Sequence, residues 1–126
     1  MSSLTTFILP NFHSQCPYHP RVNPLTEVTA LNTEKWVLRT LDYDDRTRAR
    51  FLKTKGGILA GYCYPNAKPF QFQVVSDFME WLFCFDDLSD ENTAEENHIL
   101  GNSIIDCLRN PLYDQRNLPI CLLIQE

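Results

Sequence analysis

The sequence predicts an all-α protein of about four helices. Apolar residues recur at spacings of three and four, as on one helix face, and no alternating pattern is long enough to indicate a strand. Helix start signals precede three of these patterns: Asn23-Pro24, Pro69, and a capping box from Thr93 to Glu96. With 44% apolar residues among 126, the composition is that of one folded domain or part of a larger one.

The first predicted helix spans residues 24–42 and follows an irregular arm over residues 1–23. We expect Asn23 to cap this helix and Pro24 to take its first position, where the missing N–H of proline is tolerated. Its apolar stripe is interrupted by Lys35 and is expected to face the interior. The stripe consists of Val28, Leu31, Leu38 and Leu41.

The second helix is predicted to begin after Asp44 and Asp45, whose charges suit a helix N-terminus. Gly56 and Gly57 are expected to bend or break it before a more apolar segment that ends at Pro65. Its basic residues could bind phosphate, but we interpret them as a solvated face. They are Arg46, Arg48, Arg50, Lys53 and Lys55.

The third helix is predicted from about Pro69 to about Asp86 and is apolar on nearly every side. Such a helix is normally surrounded by other helices. Because this chain supplies only about three neighbours, we expect it either to self-associate or to be a piece of a larger protein, and we favour the piece.

The fourth helix is predicted to end near Arg109, with Ile104, Ile105 and Leu108 facing inward. The tail over residues 116–126 is apolar and β-branched and has no obvious helical face. If exposed, such a tail would promote aggregation.

Charge and cysteine content narrow the function classes. A net charge of −5 argues against a nucleic-acid surface. No apolar stretch is long enough for a transmembrane segment, and the N-terminus is a poor signal peptide. The five scattered cysteines form no zinc pattern, so we expect buried free thiols in a reducing, cytoplasmic setting.

An acidic cluster directly follows the apolar run of the third helix. Asp86 and Asp90 are four residues apart, and Asp87 and Asp90 are three apart, so a helix would place like charges side by side at its C-terminus. Two readings remain open from the spacing alone. The carboxylates either hold a cation at the rim of an apolar pocket or form a solvated corner between two helices.

Magnesium is the cation that these residues would suit. It prefers oxygen ligands, typically one or two carboxylates completed by waters and substrate phosphates. A carboxylate cluster beside an apolar pocket therefore favours a substrate with a diphosphate head and a hydrocarbon tail.

The sequence resembles the N-terminal part of a fungal class I terpene synthase of the sesquiterpene cyclase type, over residues 7 to about 115. The resemblance depends on the order of several motifs. They are Ile8-Leu9-Pro10, Cys16-Pro17, Arg21-Val22-Asn23-Pro24, Trp36, Leu59-Ala60-Gly61-Tyr62-Cys63-Tyr64-Pro65, and residues 76–91, which contain Asp86-Asp87-Leu88-Ser89-Asp90.

This resemblance implies a fold, a reaction and a set of site residues. The fold is the N-terminal portion of the terpenoid synthase helical bundle, and the enzyme class is a carbon–oxygen lyase acting on phosphates. Farnesyl diphosphate is the implied substrate, ionised and cyclised with loss of diphosphate. Asp86, Asp87 and Asp90 match the Mg²⁺ motif, with Asp86 foremost, and Leu82 and Phe83 match positions that face the cyclisation cavity.

The sequence departs from the family in lacking the second metal motif, an Asn followed by Ser or Thr at plus four and Glu at plus eight. After about residue 115 the resemblance fades, so we expect a shortened chain that does not catalyse cyclisation by itself. The alternatives are an inactive fragment or interaction module that associates through exposed helix faces and, more weakly, an isoprenyl chain-elongating synthase.

Overall fold

The chain forms seven α-helices in a computed structural model that describes residues 6–110 and 118–125. No strand occurs in those residues, so the all-α class is confirmed. The short helices α1 and α7 were not predicted, and the boundary expected near residue 115 lies outside the described residues. The helices are α1 (Phe12–Gln15), α2 (Thr26–Thr40), α3 (Asp45–Thr54), α4 (Gly56–Cys63), α5 (Pro69–Glu91), α6 (Ala94–Arg109) and α7 (Pro119–Gln125).

Asn23 is a buried link between two parts of the chain. Its Nδ2 donates to the carbonyl oxygens of Tyr64 at 3.1 Å and Ala67 at 2.9 Å. Its backbone N–H donates to Gly61 O at 3.0 Å, so the end of the arm is fixed to the α4–α5 connection. Its Oδ1 accepts a hydrogen bond from Leu25 N at 3.0 Å, as a capping residue does. Helix α2 nevertheless begins at Thr26 with Leu25 at the N-cap position, so the predicted cap lies two residues too early.

Helix α2 packs against α4 through small side chains. As a result, two of the four apolar residues predicted to face inward from α2 are exposed. A Cβ added to Gly57 would lie 2.7 Å from Ala30 Cβ, and one added to Gly61 would collide with the Thr26 side chain. Such close packing turns the small residues of α2 inward, so Val28 and Leu31 are exposed. Leu41 is buried and Leu38 is partly buried, as predicted. The buried residues of α2 are Thr26, Thr29, Ala30, Thr33 and Val37.

The signals around α3 act as the sequence predicts. Asp44 is the N-cap, and its carboxylate accepts a hydrogen bond from Thr47 N at 2.7 Å. Lys55 takes a left-handed conformation (φ 60°) and separates α3 from α4 directly before the paired glycines. The five basic residues of this region are all exposed, which confirms the solvated face.

Helix α5 is buried along one stripe and not on every side, contrary to the expectation for so apolar a helix. The stripe lies against the neighbouring helices, while the apolar residues on the other faces are half-buried or exposed. The helix also extends five residues beyond the predicted end, to Glu91. The buried residues are Phe72, Ser76, Glu80 and Cys84, and the large exposed ones are Phe70, Val74, Phe78, Leu82 and Leu88.

Helix α6 begins with the predicted capping box, in which Thr93 and Glu96 exchange side-chain and backbone hydrogen bonds. It ends at Arg109, as predicted, with Asn110 as its C-cap. Of its predicted inward residues, Ile104 is buried, whereas Ile105 and Leu108 are exposed. The observed inner face consists of Leu100, Ile104 and Cys107.

The described part of the apolar tail is helical and belongs to the core, so the exposure that would promote aggregation does not apply to its buried residues. Helix α7 buries Ile120, Cys121 and Leu123, which join α2, α3, α5 and α6 in one cluster. Because α7 packs against α6, the buried face of α6 differs from the face that its apolar pattern predicts. The buried cluster is Val37, Leu41, Phe51, Cys84, Leu100, Ile104, Cys107, Ile120, Cys121 and Leu123.

The cysteines divide into two groups, all with free thiols. Cys84, Cys107 and Cys121 are buried as predicted, whereas Cys16 and Cys63 are exposed. Among the described residues, no helix has the length and apolar character needed to cross a membrane.

Gly61→Ala should destabilise the fold by about 1–3 kcal/mol, because the new methyl group would overpack the contact with Thr26. Gly101→Ala is the matched control, since no described atom lies within 4 Å of its added Cβ. That change, inside α6, should stabilise by about 0.5–1 kcal/mol. Urea denaturation measures both free energies of unfolding. Equal effects of the two substitutions would contradict the close helix contact.

Candidate functional site

The acidic cluster lies on the last two turns of α5, where the predicted aspartates are exposed. Because α5 continues to Glu91, all three aspartates have helical backbone geometry. Asp86 and Asp90 are therefore neighbours on one helix face, with about 5–6 Å between their Cβ atoms. The structure thus brings the predicted pair together at the surface, where a diffusible cation can reach it.

Arg50 on α3 contacts the other side of the acidic cluster. Its Nη2 lies 3.7 Å from Asp87 Oδ2 and 3.5 Å from Glu91 Oε1. All three side chains are more than half exposed, so these ion pairs are weak. Asp87 is thereby partly neutralised, although it stays more than half exposed, and Asp86 and Asp90 lie outside these ion pairs. Sequence reasoning missed this contact because only the folding of α3 against α5 creates it.

The carboxylates at this end of α5 suit a magnesium ion that takes its remaining ligands from water and phosphate. Among the described residues, no group of three or more His, Cys, Asp or Glu side chains is placed to hold a metal ion. Two exposed carboxylates, however, are the usual protein contribution to a Mg²⁺ ion whose other ligands are waters and substrate phosphates. Asp86 and Asp90 therefore suit a shared site that a phosphate completes.

Leu82 and Phe83 lie one turn before the aspartates, on the same side of α5. Leu82 is exposed, and Phe83 is half-buried beside Gly56. Neither residue lines either of two partly open cavities of about 590 and 510 Å³. Of the wall expected near the metal, Leu82 is open to solvent and Phe83 is partly covered.

Glu80 is a buried carboxylate that sequence reasoning overlooked. Its Oε1 accepts a hydrogen bond from Gly57 N at 3.3 Å, at the N-terminus of α4. Its Oε2 has no hydrogen-bond partner among the described residues. Burial raises the pKa of this carboxyl, and the Gly57 N–H opposes that shift. The available signal was a single acidic residue inside the apolar run from Phe78 to Phe85.

Cys84 is a core residue and not a nucleophile. It is buried on α5 between Glu80 and Asp87, and burial raises the pKa of its thiol to about 11. The thiol is therefore protonated at neutral pH, whereas the reactive form of cysteine is the thiolate. Burial also raises the pKa of the neighbouring Tyr43 hydroxyl. The groups at this end of α5 that can bind a cation are therefore its exposed carboxylates.

Fold and site together define an all-α chain with an exposed carboxylate pair suited to a hard cation. Comparison with known proteins gives the relationship. The chain is 34% identical over 117 residues to an alpha-muurolene synthase of Coprinopsis cinerea, covering 87% of this chain and 28% of that enzyme. It is 33% identical over 110 residues to sesquiterpene synthase 1 of Postia placenta, covering 87% and 32%. No family model matches the chain.

A third relative is the 4-epi-cubebol synthase ((2E,6E)-farnesyl diphosphate cyclizing) of Streptosporangium roseum, 37% identical over 84 residues, covering 64% of this chain and 26% of that enzyme. The chain is thus related to the sesquiterpene synthases of basidiomycete fungi, which confirms the resemblance. It spans less than a third of the length of these curated relatives.

Glu80→Gln should remove part of the pH dependence of stability. Because the folded-state pKa of Glu80 is raised above its ordinary value of 4.5, its contribution is complete below that value and is lost as the pH rises through the folded pKa. The amide cannot ionise, so the variant should lose less stability than the parent chain above pH 4.5. Urea unfolding at a series of pH values measures this difference.

Glu27→Gln, at an exposed position on α2, is the control and should follow the parent curve. If Glu80→Gln also followed the parent curve at every pH, the Glu80 carboxyl would have an ordinary pKa in the folded chain.

Proposed function

We propose that this chain carries the aspartate metal site of a Mg²⁺-dependent sesquiterpene cyclase that acts on farnesyl diphosphate. The observation that supports it most is the exposed pair Asp86 and Asp90 on one face of α5, in a chain related to sesquiterpene synthases. A carboxylate pair at the end of an apolar helix suits a substrate that joins a diphosphate to a hydrocarbon.

In this proposal Asp86 and Asp90 bind the metal ion directly, and Asp87 joins them when Arg50 releases it. Because the ion pair with Arg50 is weak and exposed to solvent, breaking it costs little free energy. Bound Mg²⁺ supplies Lewis acidity that neutralises a leaving diphosphate. Leu82 and Phe83 hold the hydrocarbon beside the aspartates, and the ring face of Phe83 stabilises positive charge by about 2 kcal/mol when desolvated.

The choice of substrate is supported by the relatives. One of them is described as cyclising (2E,6E)-farnesyl diphosphate, and the others are described as sesquiterpene or muurolene synthases. We infer the same prenyl diphosphate for this chain. A chain-elongating synthase is the weaker candidate, because none of these three relatives is described as one.

We further propose that this chain binds diphosphate without completing cyclisation on its own. The second metal motif does not occur in its sequence. A cyclase site that positions several metal ions and a diphosphate gains its rate from their joint geometry. One carboxylate site therefore supports binding better than turnover.

Asp86→Asn should weaken Mg²⁺-dependent binding of inorganic diphosphate by at least about tenfold, since losing even an indirect partner of a metal typically costs that much affinity. Calorimetric titration with diphosphate, with and without MgCl₂, measures the effect. Asp106→Asn, an equivalent change at an exposed position on α6, should leave the affinity unchanged.

Two results would overturn parts of this proposal. Equal binding by the parent chain and Asp86→Asn would remove the metal role of Asp86. Mg²⁺-dependent release of a cyclised product from farnesyl diphosphate by the chain alone, lost in Asp86→Asn, would disprove binding without turnover.

A second candidate role is association with a partner, of which another copy of this chain is the simplest. The arm before Asn23 is exposed at every described residue, including Phe7, Ile8, Leu9, Phe12 and Tyr18. Exposed apolar clusters of this kind mark interaction surfaces. Sedimentation velocity should show species heavier than the 14.7 kDa monomer, and removal of residues 1–20 should reduce them. A sharp monomer peak at micromolar concentration would contradict this role.

A further inference from the structure

A partly open cavity lies between α2, α5, α6 and α7, away from the acidic cluster. Its volume is about 590 Å³, within the roughly 300–1,000 Å³ range of small-molecule sites. Asp77, which lines it, precedes Asp86 by nine residues and therefore lies about 180° around α5 at 3.6 residues per turn. The cavity is thus separate from the proposed metal site.

Aromatic side chains form one wall of this cavity. Phe78 and Trp81 stack with ring centroids 6.0 Å apart, and Trp36 on α2 faces the same space. The Nε1 of Trp81 donates to Ile120 O at 3.2 Å, which uses the only polar group of the indole. The wall therefore offers hydrocarbon and π surface to a ligand, and the Trp81 N–H already has its partner.

Aliphatic side chains from three helices form the remaining apolar walls. Val74 belongs to α5, Leu108 to α6, and Leu123 and Ile124 to α7. The tail, where the family resemblance fades, therefore contributes directly to the cavity. This geometry belongs to the present chain and is independent of the proposed cyclase function.

The polar residues of the cavity carry opposite charges. Asp77 Oδ1 accepts hydrogen bonds from Gln73 Nε2 at 2.8 Å and Thr33 Oγ1 at 2.5 Å. Arg39 lines the same cavity, and it already takes part in another interaction. A charged ligand would have to be desolvated against the apolar walls, and an anion would also face Asp77. A neutral ligand avoids that cost and can donate a hydrogen bond to the Asp77 carboxylate.

From these contacts we infer that the cavity between α2, α5, α6 and α7 is a binding site for a neutral, mainly hydrocarbon small molecule with one hydroxyl group. The aromatic wall and the aliphatic residues of α6 and α7 hold the hydrocarbon. The Asp77 carboxylate accepts a hydrogen bond from its hydroxyl group.

The chain provides its own reporter, because its two tryptophans, Trp36 and Trp81, both line the cavity. Titration of the full chain with farnesol, a neutral fifteen-carbon alcohol, should change the tryptophan fluorescence in a saturable way without Mg²⁺. Farnesyl diphosphate has the same hydrocarbon and a charged head. Without metal it should bind at least about tenfold more weakly, since an unpaired charge is costly to desolvate.

Two matched pairs of substitutions locate the binding. Val74→Glu in the cavity and Val28→Glu outside it replace valines that are 51% and 54% exposed, so both should fold. On α6, Leu108→Glu alters the cavity and Ile105→Glu does not. The two cavity variants should bind farnesol at least about tenfold more weakly, because they place a charge in an apolar wall. The two outside variants should bind like the parent chain.

Three results would overturn the inference: a fluorescence change that never saturates, equal weakening by the cavity and outside variants, or undiminished binding by Val74→Glu and Leu108→Glu. None of them bears on the Mg²⁺-dependent binding of diphosphate, which tests the proposed function separately.

Discussion

The close contact between α2 and α4 is the constraint on which the rest of the structure depends. Gly57 and Gly61 leave no room for a Cβ against Ala30 and Thr26, so the two helices approach until their small residues touch. The same glycine segment leaves the N-terminus of α4 open to Glu80, whose carboxylate accepts the Gly57 N–H. The contact thus positions α5, the helix that carries both candidate sites.

Helix α5 separates two kinds of surface. Its C-terminal turns present exposed carboxylates, whereas its middle turns contribute aromatic rings to a mainly apolar cavity. The first surface suits a cation and a diphosphate, and the second suits a neutral hydrocarbon. A helix that is apolar nearly all round can serve both because only one stripe, from Phe72 to Cys84, is needed for the core.

Local chemistry predicted the parts of this fold that depend on contacts within a few residues. The caps at Asp44 and Thr93 and the break at the paired glycines are of this kind. The inward faces of α2 and α6 could not be predicted, because the glycines of α4 and the burial of α7 decide which side is covered. The aspartates followed from their spacing and the family resemblance. Their contact with Arg50 required the packing of α3 near α5.

The most direct test of a metal site at Asp86 and Asp90 is paramagnetic broadening of amide signals by Mn²⁺, which shares the preference of Mg²⁺ for carboxylate oxygens. Substoichiometric Mn²⁺ should broaden the amides of residues 83–91 first. The broadening should weaken towards Phe70 at the other end of α5, about 24 Å from Asp86 at 1.5 Å per residue. Excess Mg²⁺ should restore the broadened signals. Uniform broadening across the chain, or broadening centred on another acidic surface, would contradict a specific site at the end of α5.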